Sequence, residues 1–310
     1  MTMPARLDWT RLDRAELDRQ YDARATVADI RPILERYRAD TDAAKATVPC
    51  ALAIPYGASE PERLDVYRAT AGEGLRPVFV FVHGGYWRLL DAADSGFMAP
   101  AMAAAGIVTV ALNYALLPGV TLAEAVRQCR AAIAWIHGHI ADFGGDPDAI
   151  HVCGSSAGGH LCAMLAADDW AADFGLPRDV IKSAAPISGL FDLSPLPHCH
   201  VDAWTKLTPG DVAALSPALH LPRREMPVTV AYAETDTDGF KGQSEDYADR
   251  LIAAGNPVGR VDVPGSNHFA IVFDLADPAS RLFRAITAPI GAMTPHPGGP
   301  AATPISDPSS

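Results

Sequence analysis

Continuous apolar runs alternate with stretches of helical periodicity along most of this chain. The runs PCALAIPY (49–56), RLDVYRA (63–69), PVFVFVHGG (77–85) and GIVTVALNY (106–114) predict strands. So do AIHVCGSS (149–156), IKSAAPISGL (181–190), MPVTVAYAETD (226–236) and GRVDVPGSNHF (259–269). Between them, TLAEAVRQCRAAIAWIHGHI (121–140) has the spacing of a helix, with Thr121 and Glu124 placed for a capping box. AGGHLCAMLAADD (157–169) continues the pattern of the run before it as a second helix. Near the start, Leu12, Leu17 and Tyr21, then Ile30, Ile33, Leu34 and Tyr37, recur at helical spacing, which predicts one or two amphipathic helices within 10–46. Strand runs that lack polar alternation suit strands buried on both faces. Helices between them argue an α/β fold, a mostly parallel sheet covered on both sides.

Composition narrows the setting. The chain has 310 residues, 49% of them hydrophobic, enough for one large core. Three regions are expected: N-terminal helices over 1–48, a main α/β domain over 49–290, and a Pro/Gly/Ser-rich disordered tail over 293–310. The stretch 191–224 is rich in Pro and aromatics and exceeds ordinary loop length, so it and the N-terminal helices are expected to form a small cap. A formal net charge of −12 repels phosphate backbones and anionic lipid, so no nucleic acid or membrane partner is expected. The first twenty residues carry charges throughout and lack the apolar core of a secretory signal. Five scattered cysteines (Cys50, Cys129, Cys153, Cys162, Cys199) fit free thiols in a reducing cytoplasm.

The candidate chemistry starts at HVCGSSAGGHL (151–161). A Gly-x-Ser-x-Gly turn from strand to helix crowds the positions two before and two after its apex. For an apex at Ser156 those positions are Gly154 and Gly158; for Ser155 they are Cys153 and Ala157, whose Cβ atoms would crowd the turn. Ser156 is therefore the expected nucleophile, and Gly159 lets the helix approach the sheet. The N–H of Ala157, at the helix start, would face a developing oxyanion. A second donor is expected from Gly84 and Gly85 in FVFVHGGYWRLL (79–90), where small residues let the backbone point inward. His83 reads as a brace for that loop, and Tyr86 and Trp87 as pocket walls.

A serine hydroxyl needs a base, and the base an acid to orient it, in the chain order Ser, Asp/Glu, His. Past Ser156 the acids at the end of one strand are Glu234, Asp236 and Asp238; Asp236 is the expected partner and Asp238 the reserve. Beyond them lie only His268, in a Gly/Ser/Asn loop, and His296, in the tail, so His268 is the expected base. His198-Cys199-His200 offers ligand-type side chains, but the spacing is not one zinc uses and His-Glu-x-x-His is missing. No metal and no cofactor is expected.

His-Gly-Gly-Tyr-Trp (83–87) together with Gly-Ser-Ser-Ala-Gly-Gly-His-Leu (154–161) resembles the α/β-hydrolase-fold kynurenine formamidases (arylformamidases), and more distantly the hormone-sensitive-lipase-like esterases. QYDARATVADI, VRQCRAAIAWI, ISGLFDLSPL, LSPALHL and the acid loop ETDTDGFKGQSEDYA followed by NHF extend the likeness over about 17–285. The resemblance implies Ser156, Asp236 and His268 as the triad and Gly84, Gly85 and Ala157 as the oxyanion hole. It departs at Ser155, where formamidases often carry histidine, and at Thr237-Asp238, where a Ser-Pro-like pair is common. The implied reaction is cleavage of a small acyl amide or ester through an acyl-enzyme, best an aryl formamide such as N-formylkynurenine. The alternatives are a short-chain ester or carbamate, a metal-dependent amidohydrolase, or a non-catalytic binding protein on the same fold. The expected partner is a small-molecule acyl substrate, and a homodimer is compatible with it.

Overall fold

A computed structural model describes residues 7–223 and 225–293; the tail expected to be disordered lies outside them from residue 294 on. Two helices come first, α1 (Arg14–Gln20) and α2 (Arg31–Thr47). They are followed by β1 (Cys50–Pro55), β2 (Arg63–Tyr67), β3 (Arg76–Val82), α3 (Ala99–Ala104), β4 (Val108–Leu112) and α4 (Leu122–His139). The chain continues through β5 (Gly145–Ser155), α5 (Ala157–Ala166), β6 (Ile181–Ile187), and two short helices, α6 (Asp202–Thr205) and α7 (Pro209–Leu215). It closes with β7 (Val228–Ala233), α8 (Asp238–Ala254), β8 (Val258–Val263) and α9 (Arg281–Met293).

The eight strands form one sheet in the order β1-β2-β4-β3-β5-β6-β7-β8. β2 pairs antiparallel with both β1 and β4, and every other neighbour pair is parallel. The apolar runs are explained by burial on two faces. In β3, Val78, Val80 and Val82 enter one cluster with Ala132 and Ile133 of α4 and Leu161 and Leu165 of α5. Phe79 and Phe81 enter the other, with Met102 of α3 and Leu282 and Phe283 of α9. Each such buried side chain contributes about 1.5–3 kcal/mol of transfer free energy.

Thr121 does cap α4, its hydroxyl accepting from the Glu124 N–H at 3.2 Å. The reciprocal half of the expected box is not made, because the Glu124 carboxylate accepts instead from Arg127 and Gln128 on the next turn. A charge-assisted pair one turn on outcompetes a bond back to a neutral amide.

Parallel pairing decides where function can sit. All strands from β4 to β8 run the same way, so the loops that leave them open on one edge of the sheet. Gly84 follows β3, Ser156 follows β5, Ser188 follows β6, Asp236 follows β7 and His268 follows β8. Residues far apart in sequence thus meet on five adjacent strands.

Candidate active site

The serine turn is held by backbone crowding. Ser156 sits between β5 and α5 with φ 58° and ψ −120°, a region that side-chain-bearing residues rarely occupy. A methyl at Gly154 would strike the Gly158 backbone, and one at Gly158 would strike the carbonyl oxygens of Val82 and His83. At Gly159 a methyl would lie 2.9 Å from the Gly189 Cα. The Ser156 N–H donates to the Ile187 carbonyl at 2.8 Å, which ties the turn to the end of β6. Ser155, by contrast, ends the strand and pairs in register with Ile187. The three glycines therefore set Ser156, not Ser155, at the apex. Ala157 opens α5, so its N–H has no acceptor within the helix.

Asp236 and His268, the residues expected as acid and base, meet in the structure. His268 Nδ1 lies 2.6 Å from Asp236 Oδ1, and both side chains are buried. The other carboxylate oxygen of Asp236 accepts from the Ser188 hydroxyl at 2.6 Å and the Ala233 N–H at 2.9 Å. Burial by itself would raise the Asp236 carboxyl. The charge and hydrogen bond of His268, the Ser188 hydroxyl and the Ala233 N–H outweigh it and hold the group below its ordinary value. An ionised carboxylate only accepts, so Nδ1 carries the proton and Nε2 the lone pair. Nε2 is buried with no hydrogen-bond partner, and His268 lines the same cavity as Ser156. The reserve acid Asp238 begins α8, and Glu234 accepts from the Gly265 N–H at 2.6 Å. Ser188, with φ 46°, was not singled out from the sequence; its only signal was a Ser-Gly pair ending a strand.

The loop after β3 presses against this turn. A methyl at Gly84 would lie 2.8 Å from the Ser155 carbonyl oxygen, so only glycine brings the backbone so near the serine. Gly85 has φ +92° and faces the Leu89 backbone. His83 is buried beneath, its Nδ1 3.0 Å from the Gly84 oxygen and its ring stacked on Tyr114 at 4.3 Å. Burial pushes its pKa down to about 4, which leaves a neutral ring as a brace. Tyr86 and Trp87 separate. Tyr86 lines the cavity, but Trp87 is wholly buried in the core, edge-on to His160 at 5.1 Å. The expected substrate role for Trp87 is corrected accordingly. Tyr86 and Trp87 both have positive φ, and the turn they form sends their side chains to different places.

The cavity has a volume of about 530 Å³ and is lined by Gly84, Gly85, Ser155, Ser156 and His268 on the sheet side. Asp18, Arg19, Asp22 through Ala25, Ile30, Leu34 and Tyr37 of the N-terminal segment form another wall, and His200 and Trp204 a third. Long-range hydrogen bonds pin the N-terminal wall to the loops that carry the site. The Tyr86 hydroxyl donates to the Tyr21 carbonyl. The Gln20 side chain accepts from the Gly239 N–H at 2.8 Å, and its carbonyl from the Thr237 hydroxyl at 2.5 Å. The Tyr37 hydroxyl donates to the carbonyl of Phe269, next to His268, at 2.5 Å.

His198-Cys199-His200 divides. Cys199, His200 and Asp18 bring one ligand-type atom each within 4.8 Å of one another. Asp18 already accepts from Arg14 and from the His200 N–H, and the Cys199 thiol points to the Leu196 carbonyl. Burial pushes that thiol up to about 11, so it holds its proton at neutral pH. Among the described residues no helix is long and apolar enough to cross a membrane.

Comparison with known proteins agrees with this geometry. The BD-FAE family model matches residues 64–184, which include the glycine loop and the serine turn. The chain is 31% identical to the kynurenine formamidase of Danio rerio, over 92% of this chain and 99% of that protein. It is 32% identical to the esterase LipQ of Mycobacterium tuberculosis over 72% of this chain and 57% of that one. Among solved structures, a Silicibacter sp. TM1040 protein with a provisional thioesterase assignment superposes with a TM-score of 0.75 at 27% identity, covering 88% of this chain and 99% of the other. The carboxylesterase EstE1, from a metagenomic library, shares the fold with a TM-score of 0.66 at 23% identity, over 86% and 96% of the two chains. The serine turn, the buried Asp–His pair and near full-length similarity together show that the chain is an α/β-hydrolase-fold hydrolase and belongs to the kynurenine formamidase family.

Proposed function

We propose that this hydrolase cleaves an aryl formamide of the N-formylkynurenine type. Ser156 acts as nucleophile, His268 as general base and acid, and Asp236 as the residue that orients and stabilises the imidazolium. The single observation that carries this assignment is the Asp236–His268 bond of 2.6 Å, with Nε2 unpartnered on the cavity that Ser156 lines. His268 Nε2 takes the Ser156 proton as Oγ attacks the formyl carbon. The N–H groups of Gly84, Gly85 and Ala157 hold the resulting oxyanion. His268 then protonates the leaving arylamine, and a water activated by the same base clears the formyl-enzyme. The N-terminal segment and the 191–224 stretch act as the cap, which shields the acyl-enzyme. A cytoplasmic location goes with this reading, supported by free thiols at all five cysteines.

The formamide reading is favoured by the near full-length match to formamidases. A carboxylesterase reading is supported by LipQ and by a shared oxyanion chemistry that does not distinguish amide from ester. Measuring kcat/KM on N-formylkynurenine and on p-nitrophenyl acetate separates the two. Formamide turnover at least comparable to ester turnover is expected; fast ester cleavage beside negligible formamide cleavage would overturn the assignment.

A further inference from the structure

The charged groups of the cavity wall are unevenly satisfied. Its three carboxylates all have partners. Asp18 accepts from Arg14 and the His200 N–H, Asp22 from the Arg24 N–H, and Asp94 from Arg38 and the Asp91 N–H. The three arginines differ. Arg19 is bound to Glu16, whereas Arg24 and Arg88 pair with no carboxylate among the described residues. In a chain with a formal net charge of −12, two wall cations without counter-ions leave room for an anion from outside.

Arg88 is also held in place. Its guanidinium lies 3.8 Å over the Trp204 ring, and the Trp204 N–H donates to the Tyr86 carbonyl at 3.1 Å. The ring holds the guanidinium in place while its N–H groups have no acceptor among the described residues, and a guanidinium so placed can grip a carboxylate by two parallel bonds. Arg88 stands three residues beyond Gly85, on the loop that faces Ser156. An anion bound there is therefore tied to the same backbone that would receive the oxyanion.

We propose that Arg88, stacked on Trp204, is the specificity residue that takes the carboxylate of an anionic acyl substrate, with Arg24 as a second and weaker cation. This rests on the acyl-hydrolase reading and deepens it: the preferred substrates carry a carboxylate on the side of the scissile bond remote from the small acyl group. N-formylkynurenine meets that requirement through its amino-acid arm. Its neutral counterpart, 2-formamidoacetophenone, keeps the ring, ketone and formamide and lacks the arm.

The test is the ratio of kcat/KM on these two formamides in wild type, Arg88→Met, Arg88→Lys and Arg24→Met. Wild type should favour the carboxylate-bearing formamide, and Arg88→Met should cut that ratio about 10- to 100-fold, mostly through KM. Arg88→Lys should restore part of it, and Arg24→Met should lower it by less than Arg88→Met. A ratio within about twofold of wild type in Arg88→Met would overturn the proposal. Should wild type cleave neither formamide while cleaving p-nitrophenyl acetate, the formamide reading fails by itself. The arginine is then read on 3-(4-acetoxyphenyl)propanoate against 4-propylphenyl acetate, which differ by a carboxylate on the leaving phenol, and an Arg88→Met ratio equal to wild type would sink the anion site as well.

Discussion

The two sides of the cavity are built on different principles. The serine side is made of backbone packed against backbone: Gly154, Gly158 and Gly159 leave no space for a methyl, and Ser156 is locked at φ 58° between β5 and α5. The N-terminal wall, from Asp18 to Tyr37, is crowded at Gln20, whose carbonyl oxygen a methyl at Gly239 would meet at 2.8 Å, but not at the serine turn. It is tied on by hydrogen bonds that Gln20 and Tyr21 accept and Tyr37 donates, with partners 65 to 232 residues away. Steric locking holds a geometry rigidly and tolerates nothing larger. Hydrogen-bonded attachment of a surface segment contributes only about 0.5–1.5 kcal/mol per bond and can open locally. The residues proposed for the chemistry sit on the sterically locked side.

The largest effect expected is at the rigid apex. Ser156→Ala removes the nucleophile and leaves the glycine frame untouched, so activity should fall about a thousandfold or more while the thermal midpoint stays at or above that of wild type. Measurable formamidase or esterase turnover near the wild-type rate would remove Ser156 from the reaction.

Trp87→Ala tests the neighbouring residues that part ways. Trp87 is fully buried, so truncation should destabilise the fold by about 3–5 kcal/mol in urea unfolding. Tyr86, on the cavity, should affect turnover more than stability when changed to phenylalanine. Equal stability losses for both would contradict the division of that turn into a core half and a pocket half.

Acid should weaken the rigid side first. His83, His151 and His160 are buried and pushed down to about 4 by desolvation, His151 also by Lys182. Each leaves one ring nitrogen buried without a partner, His83 and His151 at Nε2 and His160 at Nδ1. The unfolded chain binds these protons near pH 6.5 and the native chain does not, so stability should decline as pH falls from 6.5 toward 4 and level off above 6.5. The loss approaches ~3 kcal/mol per histidine at the lower end. Urea midpoints that stay flat between pH 7 and 5 would show that these rings are not held neutral.

The smallest effect belongs to the tied wall. Tyr37→Phe keeps the ring stacked on Phe97 at 5.5 Å and removes only the bond to the Phe269 carbonyl. Turnover should drop about two- to tenfold with KM nearly unchanged, because the loop carrying His268 is less well positioned. An unaltered kcat would mean that this tie serves the fold alone.

Much of this was legible without coordinates. Apolar runs announced the strands because a sheet covered on both faces has no polar side to record. Gly154, Ser156 and Gly158 named the apex because the crowding at such a turn is local. Asp236 and His268 followed from chain order along parallel strands. Other features left no local trace. Ser188 reaches Asp236 from 48 residues away, and a Ser-Gly pair looks like any turn. Trp87 reads like Tyr86 in sequence, and only the positive φ at both residues sends one inward and the other to the cavity.

The amino-acid sequence by itself determined the layered α/β architecture, the glycine-framed turn at Ser156 and the chain order of the proposed triad, because each follows from periodicity, small residues and strand succession. Only the tertiary structure decided which side chains wall the cavity, which carboxylates are already satisfied and that Arg88 lies unpaired on Trp204. Those are matters of which distant surfaces come to face one another. No period or spacing along the chain records them, since they depend on the path of every element folded in between.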